Sequence, residues 1–301
     1  MNAFNRESSD AIASQLLDAI DRGRAPEPGF YRNIPDYEYH GIWRVLSNSL
    51  LQEMKRSPLH AYHAMSAPSD DPTPAMQLGT AVHAAILQPD FFSSNFVALP
   101  KVDKRTKAGL GELTRFMHEH TGKRFLSPAD FARCNAMRDA ALQVQKIRDF
   151  LGGEGDFELS FVWRDPSELL FKGRADRVSW EYAGGTIVDI KTCPDARRDA
   201  FERKIFSLGY HNQGALYAEG LLALGMSIKH YTIIAIESEA PHGIAIYRIR
   251  DEVLAAAHKE NQKLKHRFEE CMKSNCWPSY GERVVDIGLP QWVMNQLEGT
   301  Q

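Results

Sequence analysis

The sequence predicts an α/β fold in which a central mixed β-sheet is flanked by helices. Short runs rich in β-branched and aromatic residues, bounded by Gly, Pro or Asp, are typical of strands, and they lie at 157–163, 169–174, 186–191, 231–237 and 244–250. A helical segment at about 208–224 separates the third run from the fourth. A connection of that length permits a crossover between parallel strands, which makes the sheet mixed.

Further helices are predicted on both sides of the strand region, because apolar residues recur there at helical spacing. Two helices that meet at Ser57-Pro58 are expected within 47–65, since proline tolerates the first turn of a helix. Single helices are expected at about 76–87, 125–150 and 251–274. By composition, 66–74 is a loop and 101–112 is a flexible basic loop.

Composition indicates a soluble protein with one large core. The chain has 301 residues, 43% hydrophobic and 25% charged, and we expect a single domain at 31–285 between a polar extension at 1–30 and a tail at 286–301. No apolar run approaches the roughly 18 residues of a membrane span, and the polar start does not resemble a signal peptide. Four cysteines without paired spacing agree with a reducing compartment, so we expect a cytoplasmic protein.

Net charge limits the ways in which this chain binds nucleic acid. A net charge of −3 argues against a protein that binds nucleic acid simply by being basic. It still allows a local basic groove beside an acidic site.

The chemistry of the chain is concentrated between Glu158 and Lys191. Asp176 and Asp189 are separated by twelve residues, and Lys191 follows the second acid by two positions. Side chains at i and i+2 of a strand share a face, so Asp189 and Lys191 point together while Ile190 points into the core. This pattern suits a divalent metal held beside a cation and predicts metal-assisted hydrolysis of a phosphodiester.

Each acid also has a structural interpretation. Asp176 lies between two arginines, and its structural alternative is an aspartate of a turn or a salt bridge. Asp189 ends a buried strand, where a charge is costly unless a metal, hydrogen bonds or a cation compensates it, and a purely structural ion pair with Lys191 meets that condition. Glu158 follows the pattern of an exposed strand glutamate.

The carboxylates predict Mg²⁺, with Mn²⁺ as the alternative, because hard ions prefer oxygen ligands. One or two such ions would orient the phosphate, generate a hydroxide and stabilise the leaving oxygen. Lys191 would then stabilise the developing charge on the phosphate and help to position or deprotonate the attacking water.

An ordered set of motifs resembles the RecB-type nucleases of the PDDEXK superfamily. The set comprises Gly79-Thr80-Ala81-Val82-His83, Glu158, Gly173-Arg174-Ala175-Asp176-Arg177, Val188-Asp189-Ile190-Lys191-Thr192 and Gln213-(x3)-Tyr217. More closely, the chain is similar to the nuclease domain of RecE, exodeoxyribonuclease VIII, and its phage or prophage relatives. The resemblance covers about residues 36–280 and implies a restriction-endonuclease-like (PDDEXK) core.

The resemblance implies roles for individual residues. It makes His83, Asp176, Asp189 and the backbone carbonyl of Ile190 the metal ligands, and an imidazole ligand suits Mn²⁺ better than Mg²⁺. It places Gln213 and Tyr217 on one helix face near the site, although helix packing explains Tyr217 equally well and a buried histidine in the core explains His83. The residues expected to act in catalysis are Lys191, Asp176, Asp189, Glu158, Gln213 and Tyr217.

Two segments are expected to contact DNA. The resemblance implies that Lys104, Arg105 and Lys107 bind backbone phosphates, which gives salt-dependent binding without sequence preference. A charge run of this kind is otherwise simply solvated. A pocket for a terminal phosphate is a second expectation, formed by Arg44, Ser47 and Ser49.

The resemblance implies a metal-dependent exodeoxyribonuclease that degrades one strand of linear double-stranded DNA, in the 5′-to-3′ direction, and leaves single strands for a RecT-like annealing protein. It also implies a closed homo-oligomeric ring around the duplex. Two alternatives stay open. One is a structure-specific or RNA-directed nuclease on the same fold, and the other is a catalytically silent DNA-binding or assembly protein.

Overall fold

The computed structural model describes residues 26–35, 39–40, 45–66, 73–181, 184–281 and 284–298. Its strands are β1 (Gly29–Tyr31), β2 (Phe96–Ala98), β3 (Arg124–Leu126), β4 (Gly155–Arg164), β5 (Leu170–Glu181), β6 (Gly184–Cys193), β7 (Ile228–Glu237) and β8 (Ile244–Arg248). Its helices are α1 (Asn48–Arg56), α2 (Pro58–Ser66), α3 (Pro74–Leu87), α4 (Pro89–Asn95), α5 (Lys107–Glu119), α6 (Pro128–Gln143), α7 (Gln145–Gly152), α8 (Arg198–Ser207), α9 (Tyr210–Ala223), α10 (Asp251–Ser274) and α11 (Gln291–Leu297).

The central sheet has six strands in the order β1-β4-β5-β6-β7-β8. Neighbouring strands are antiparallel except β6 and β7, which pair in parallel through the crossover formed by α8 and α9. The predicted mixed sheet with flanking helices is therefore confirmed. A separate two-stranded parallel sheet, β2 with β3, was not expected from the sequence.

Helices cover both faces of the sheet and form two hydrophobic clusters. One cluster joins α1, α9 and α10 to the sheet and includes Phe161, Trp163, Phe171, Leu216, Tyr231 and Phe268. The other joins α3, α6 and α7 to the opposite face and includes Val82, Met137, Ile147, Val188, Ile190 and Ile234. Burying a side chain of this size contributes roughly 1.5–3 kcal/mol, so both layers are fixed to the sheet by apolar contact.

Helix α9 approaches the sheet closely because a glycine faces it. A Cβ added to Gly214 would lie 2.5 Å from the ring of Tyr231, well inside van der Waals contact. The missing side chain lets α9 pack directly on β7, and Gln213 in its first turn then reaches Asp189 of β6.

The predicted break between the first two helices is confirmed. Ser57 is extended and its backbone N–H returns to the carbonyl of Glu53 at 3.0 Å, while Pro58 opens α2. Helix α3 begins two residues earlier than expected, at Pro74, because Thr73 accepts a hydrogen bond from the Met76 N–H at 3.3 Å.

The prediction of a flexible basic loop at 101–112 is wrong for the second half of that segment. Helix α5 begins at Lys107, and the hydroxyl of Thr106 accepts from the Gly109 N–H at 3.0 Å. A threonine cap of this kind satisfies one of the unpaired N–H groups of a first turn. The basic and glycine-rich composition of the segment concealed this helix start.

The single helix expected at 125–150 is divided, whereas the one expected at about 208–224 is confirmed. The segment 125–150 contains the end of β3, then α6, and then α7 after a break at Val144, whose backbone is extended. The segment 208–224 contains only α9, which Gly209 separates from α8 by a left-handed conformation with φ of 67°. None of the described helices is long and apolar enough to cross a membrane.

Candidate active site

The site lies where β5 and β6 stop pairing. Within the described residues, their antiparallel ladder ends at Arg177 and Val188. Beyond that pair, a carboxylate oxygen of Asp176 accepts the N–H of Ile190 at 2.7 Å. The side chain thus replaces a strand carbonyl as the acceptor and keeps Asp176 beside the open end of β6.

Three potential metal ligands converge at this opening. His83 on α3, Glu158 on β4 and Asp176 on β5 each offer one ligand atom within 4.8 Å of the other two. Glu158 lies opposite Asp176 in the ladder, between the pairs Phe157–Arg177 and Leu159–Ala175. Two antiparallel strands, β4 and β5, and helix α3 therefore supply the cluster.

Glu158 adopts a conformation that is unusual for its residue type. Its φ is 47°, in the left-handed region, although it lies within a strand. Such a backbone conformation costs about 1–3 kcal/mol and persists where the surrounding structure enforces it, most often at functional sites. The strain turns the Glu158 carboxylate toward His83 and Asp176.

The hydrogen bonds of His83 determine which of its nitrogens faces the cluster. Nε2 lies 2.8 Å from the carbonyl oxygen of Ile190, and Nδ1 lies 3.4 Å from Asp176 Oδ2. Because a carbonyl only accepts, Nε2 is the nitrogen that donates to Ile190, and Nδ1 is the nitrogen that lies beside the carboxylate of Asp176. A partner on the second ring nitrogen is the usual arrangement of a metal-binding histidine.

Asp189 faces the opposite helical layer. Its Oδ2 lies 2.8 Å from the ammonium of Lys191, and its Oδ1 accepts from Gln213 Nε2 at 3.0 Å. The predicted shared face of Asp189 and Lys191 is confirmed, and Ile190 points into the core with 1% of its surface exposed. Gln213 reaches Asp189 from the first turn of α9.

Burial and mutual attraction together set the charges of Asp189 and Lys191. Burial raises the pKa of Asp189 to about 6, against the opposing effect of the Lys191 ammonium. Burial alone would lower the pKa of Lys191, but the carboxylates of Asp189 and Asp176 outweigh it and raise that pKa above its ordinary value. Lys191 is therefore a cation at neutral pH, suited to stabilise negative charge rather than to remove a proton.

The donor set fits a divalent cation. Ligand atoms at about 2.1 Å from one ion lie at most about 4.2 Å apart, close to the spread of His83, Glu158 and Asp176. Two carboxylates in close proximity repel each other, so a cation between them removes an electrostatic penalty. Oxygen donors suit Mg²⁺, and the imidazole adds an affinity for Mn²⁺.

The two arginines that flank Asp176 in sequence bind other groups. Arg174 donates to the hydroxyl of Ser160 at 2.9 Å and to the Ile34 carbonyl at 2.9 Å. Arg177 is buried and donates to backbone carbonyls of the segment that precedes β4. These contacts weigh against the interpretation of Asp176 as the salt-bridge partner of its neighbours.

The other residues predicted from the sequence differ in position. Tyr217 lies near the site, hydrogen-bonded to the side chain of Gln213, and its ring is buried against Phe161 with centroids 5.5 Å apart and planes at 83°. Ser47 caps α1, Ser49 is exposed beside it, and Arg44 lies outside the described residues. Of the basic segment, Lys104 and Lys107 are exposed and Arg105 is paired with Asp103 at 3.1 Å.

Tyr210 was not recognised in the sequence. Its ring lies 4.9 Å from the Lys191 ammonium, in the geometry of a cation–π contact. The signal was present, because Tyr210 precedes Gln213 by three positions and so shares its helix face. Lys172 is a second omission, since it lies four residues before Asp176 in β5 and its ammonium donates to the Tyr39 carbonyl at 2.8 Å.

One solved structure shares this architecture, and a second aligns less closely. Among solved structures, a candidate exonuclease from Eubacterium rectale aligns with a TM-score of 0.56 and 14% identity, over 87% of this chain and 98% of that one. A phage-related exonuclease from Haemophilus somnus 129PT aligns with a TM-score of 0.30 and 14% identity, over 65% of this chain and 94% of that one. No curated protein matches the sequence.

At 14% identity, the structural likeness to the Eubacterium rectale protein shows a shared fold and nothing finer. The family relationship is stronger, since the model of the PDDEXK-like domain of unknown function (DUF3799) matches residues 47–286. That range contains His83, Glu158, Asp176, Asp189 and Lys191. The chain therefore belongs to the family of PDDEXK-like domains of unknown function.

Proposed function

We propose that this chain is a divalent-metal-dependent deoxyribonuclease. The observation that carries the proposal is the convergence of an imidazole and two carboxylates beside a buried Asp189–Lys191 pair. Membership of a PDDEXK-like family and the fold shared with a candidate exonuclease support a nuclease.

Each residue of the site has a role in hydrolysis that follows from its position. His83, Glu158 and Asp176 would hold the cation, which when bound supplies Lewis-acid polarisation of the phosphate and a more acidic water. Lys191 places a fixed positive charge where the phosphate becomes more negative during attack. Gln213 holds Asp189 in place through its amide, and Asp189 in turn holds the Lys191 ammonium.

A finer assignment rests on the resemblance to RecE-type enzymes. We infer an exonuclease that acts on the ends of linear double-stranded DNA in the 5′-to-3′ direction and supplies single strands to a RecT-like annealing protein. A closed ring of subunits would let a chain of net charge −3 surround DNA with a locally basic channel. The ordered motifs and their spacing support this assignment.

Linear and covalently closed circular duplexes of one sequence separate the candidate functions. An exonuclease degrades the linear form in Mg²⁺ or Mn²⁺ and leaves the circle intact. Cutting of the circle would indicate the endonuclease, and binding without degradation in either metal would indicate the silent DNA-binding protein. Labels placed separately at the 5′ and 3′ ends report the direction, since early release of the 5′ label is expected.

Replacement of Lys191 by alanine tests the mechanism. Lys191→Ala is expected to lower the rate of DNA degradation at least about 100-fold, because a fixed charge at the reacting phosphate is lost. Metal binding, measured as the thermal stabilisation by Mn²⁺, is expected to persist. Lys263→Ala, which removes an exposed lysine of α10, is the matched control. Degradation by Lys191→Ala at the wild-type rate would contradict the mechanism.

A further inference from the structure

We propose that Tyr210 is a positioning residue of the nuclease, whose ring holds the ammonium group of Lys191 at the place where the reacting phosphate binds. The ammonium lies over the ring, 4.9 Å from its centroid. The inference deepens the proposed nuclease function and rests on it. It assigns the role to the aromatic ring of Tyr210 and not to its hydroxyl.

The ion pair with Asp189 fixes Lys191 from one direction. It joins Nζ to one carboxylate oxygen at 2.8 Å, and both residues lie on β6. A lysine ammonium is a point charge on a flexible four-carbon stem, so one such contact sets a distance without setting a direction. The ring of Tyr210 approaches the ammonium from α9, a different element, and supplies the second contact.

An aromatic ring holds this cation without neutralising it. The face of a ring attracts a cation through its quadrupole and carries no net charge. A second carboxylate in the place of Tyr210 would also hold Lys191, but it would reduce the positive potential available to a phosphate. The ring therefore positions the ammonium while its charge stays available for the reaction.

The backbone that carries Tyr210 is fixed on both sides. Gly209, immediately before it, has φ of 67°, and a Cβ at that position would overlap the side-chain amide of Gln52 on α1. Asn212, two residues after it, is fully buried and donates to Asn261 Oδ1 of α10 at 3.0 Å. Helices α1 and α10 therefore both hold the first turn of α9.

The side chain of Tyr210 is also packed. Its ring centroid lies 6.2 Å from that of Phe201 on α8, which is 1% exposed and stacks on Tyr247 of β8 at 5.3 Å. A tyrosine ring turns about only two side-chain bonds, so a fixed backbone and a buried neighbour restrict its position. A ring restricted in this way is preorganised to hold the Lys191 ammonium before the substrate binds.

Rates of degradation of linear duplex DNA by the full chain test the role. Tyr210→Leu is expected to lower kcat about tenfold, because a displaced charge stabilises the reacting phosphate less. The KM for DNA and the thermal stabilisation by Mn²⁺ are expected to stay at their wild-type values. Tyr210→Phe keeps the ring and is expected to retain kcat within about twofold.

Two further variants separate positioning from packing. Tyr247→Leu removes the other tyrosine ring that packs on Phe201 and is the matched control, with wild-type kcat expected. In the Lys191→Ala background, Tyr210→Leu is expected to cost nothing further, since the charge that the ring positions is already absent. Circular dichroism of each variant verifies folding before rates are compared.

Nuclear magnetic resonance of the metal-free protein reports the contact without turnover. A lysine methylene beside the face of a ring is shifted upfield by the ring current. In protein labelled with ¹³C at lysine, the Cε signal of Lys191 is identified by its loss in Lys191→Arg. Tyr210→Leu is expected to move this signal and its attached protons downfield, and Tyr210→Phe is expected to leave them in place.

Several outcomes would overturn the role of the ring. They are wild-type kcat in Tyr210→Leu, equal losses in Tyr210→Leu and Tyr210→Phe, a loss of the same size in Tyr247→Leu, or a Lys191 signal that does not respond to Tyr210→Leu. A wild-type protein that degrades no DNA in Mg²⁺ or Mn²⁺ would overturn the nuclease proposal and this role with it. The resonance shift distinguishes the two failures, because it depends on the contact alone.

Discussion

Glu158 combines three properties that rarely occur together in a strand residue. Its backbone is left-handed, it lies opposite Asp176, and a carboxylate oxygen lies within 4.8 Å of a ring nitrogen of His83. Local strain and like-charge repulsion both destabilise the protein unless something offsets them. A bound cation would offset the repulsion, and the strained backbone would direct the Glu158 carboxylate to that cation.

Glu158→Gln tests whether the repulsion is present. Removing one of two neighbouring negative charges is expected to raise the free energy of unfolding of the metal-free protein by about 1 kcal/mol. The same change should reduce the stabilisation that Mn²⁺ provides. Urea denaturation in EDTA and in Mn²⁺ measures both effects. An equal shift in the two conditions would show that Glu158 does not interact with the metal.

Lys172 gives a second prediction, through its titration. Burial, with a smaller effect of the Arg174 charge, lowers the pKa of Lys172 from 10.5 to about 8. Between pH 8 and 10.5 the unfolded chain therefore binds a proton that the folded chain has lost, and stability rises with pH across this window. A shift of this size corresponds to at most about 3 kcal/mol.

The measurement compares the wild type with Lys172→Met, which keeps the apolar stem and cannot titrate. The stability of the wild type relative to the variant should increase from pH 8 toward 10.5. Other groups that titrate in alkali cancel in the difference. A difference that stays constant over this range would show that the folded protein does not depress the pKa of Lys172.

At the scale of secondary-structure elements, helix α9 links the core to the chemistry. One of its faces packs on β7 through Gly214, and its first turn carries Tyr210 beside Lys191 and Gln213 beside Asp189. The position of these polar groups depends on how closely the helix approaches the sheet. A small displacement of α9 should therefore affect both stability and activity.

Gly214→Ala tests this dependence. The added methyl group overlaps the ring of Tyr231, and overpacking of this kind costs about 1–3 kcal/mol of unfolding free energy. DNA degradation should slow as well, because Gln213 moves relative to Asp189. Gly111→Ala on α5 is the control, since a Cβ there has no neighbour within 4 Å and should stabilise the helix by about 0.5–1 kcal/mol. Unchanged stability and rate in Gly214→Ala would contradict the close packing.

At the scale of the whole molecule, charge distribution matters more than net charge. The chain carries −3 overall, yet the segment before and at the start of α5 presents Lys104 and Lys107 to solvent. Phosphate contacts by such residues make DNA affinity fall with salt, by roughly 0.9 in logarithmic slope for each contact. The slope of log affinity against log salt concentration therefore gives the number of phosphate contacts without a structure of the complex.

A triple alanine variant at Lys104, Arg105 and Lys107 is expected to reduce the slope of log K against log salt by about 2 to 3. The control removes the same charge from exposed positions of α10: Lys259, Lys263 and Lys273. Fluorescence anisotropy of labelled duplex DNA in EDTA, over a salt series, gives both slopes. Equal slopes in the two variants would exclude these three residues as a specific phosphate-binding segment.

Sequence by itself determined the features that depend on local periodicity. The strand pattern around Asp189 predicted that Lys191 shares its face, and the ion pair at 2.8 Å follows from two-residue alternation. Local composition and spacing likewise predicted the break at Pro58 and the crossover between β6 and β7. Composition alone did not reveal α5, because its start depends on a cap made by one hydroxyl.

Tertiary structure decided which groups meet. His83 and Ile190 are 107 residues apart in the chain, and their hydrogen bond selects the ring nitrogen that faces Asp176. The left-handed backbone of Glu158 has no local signal in the sequence. Periodicity specifies the face on which a side chain lies, whereas convergence depends on strand register and helix packing, which only long-range contacts set.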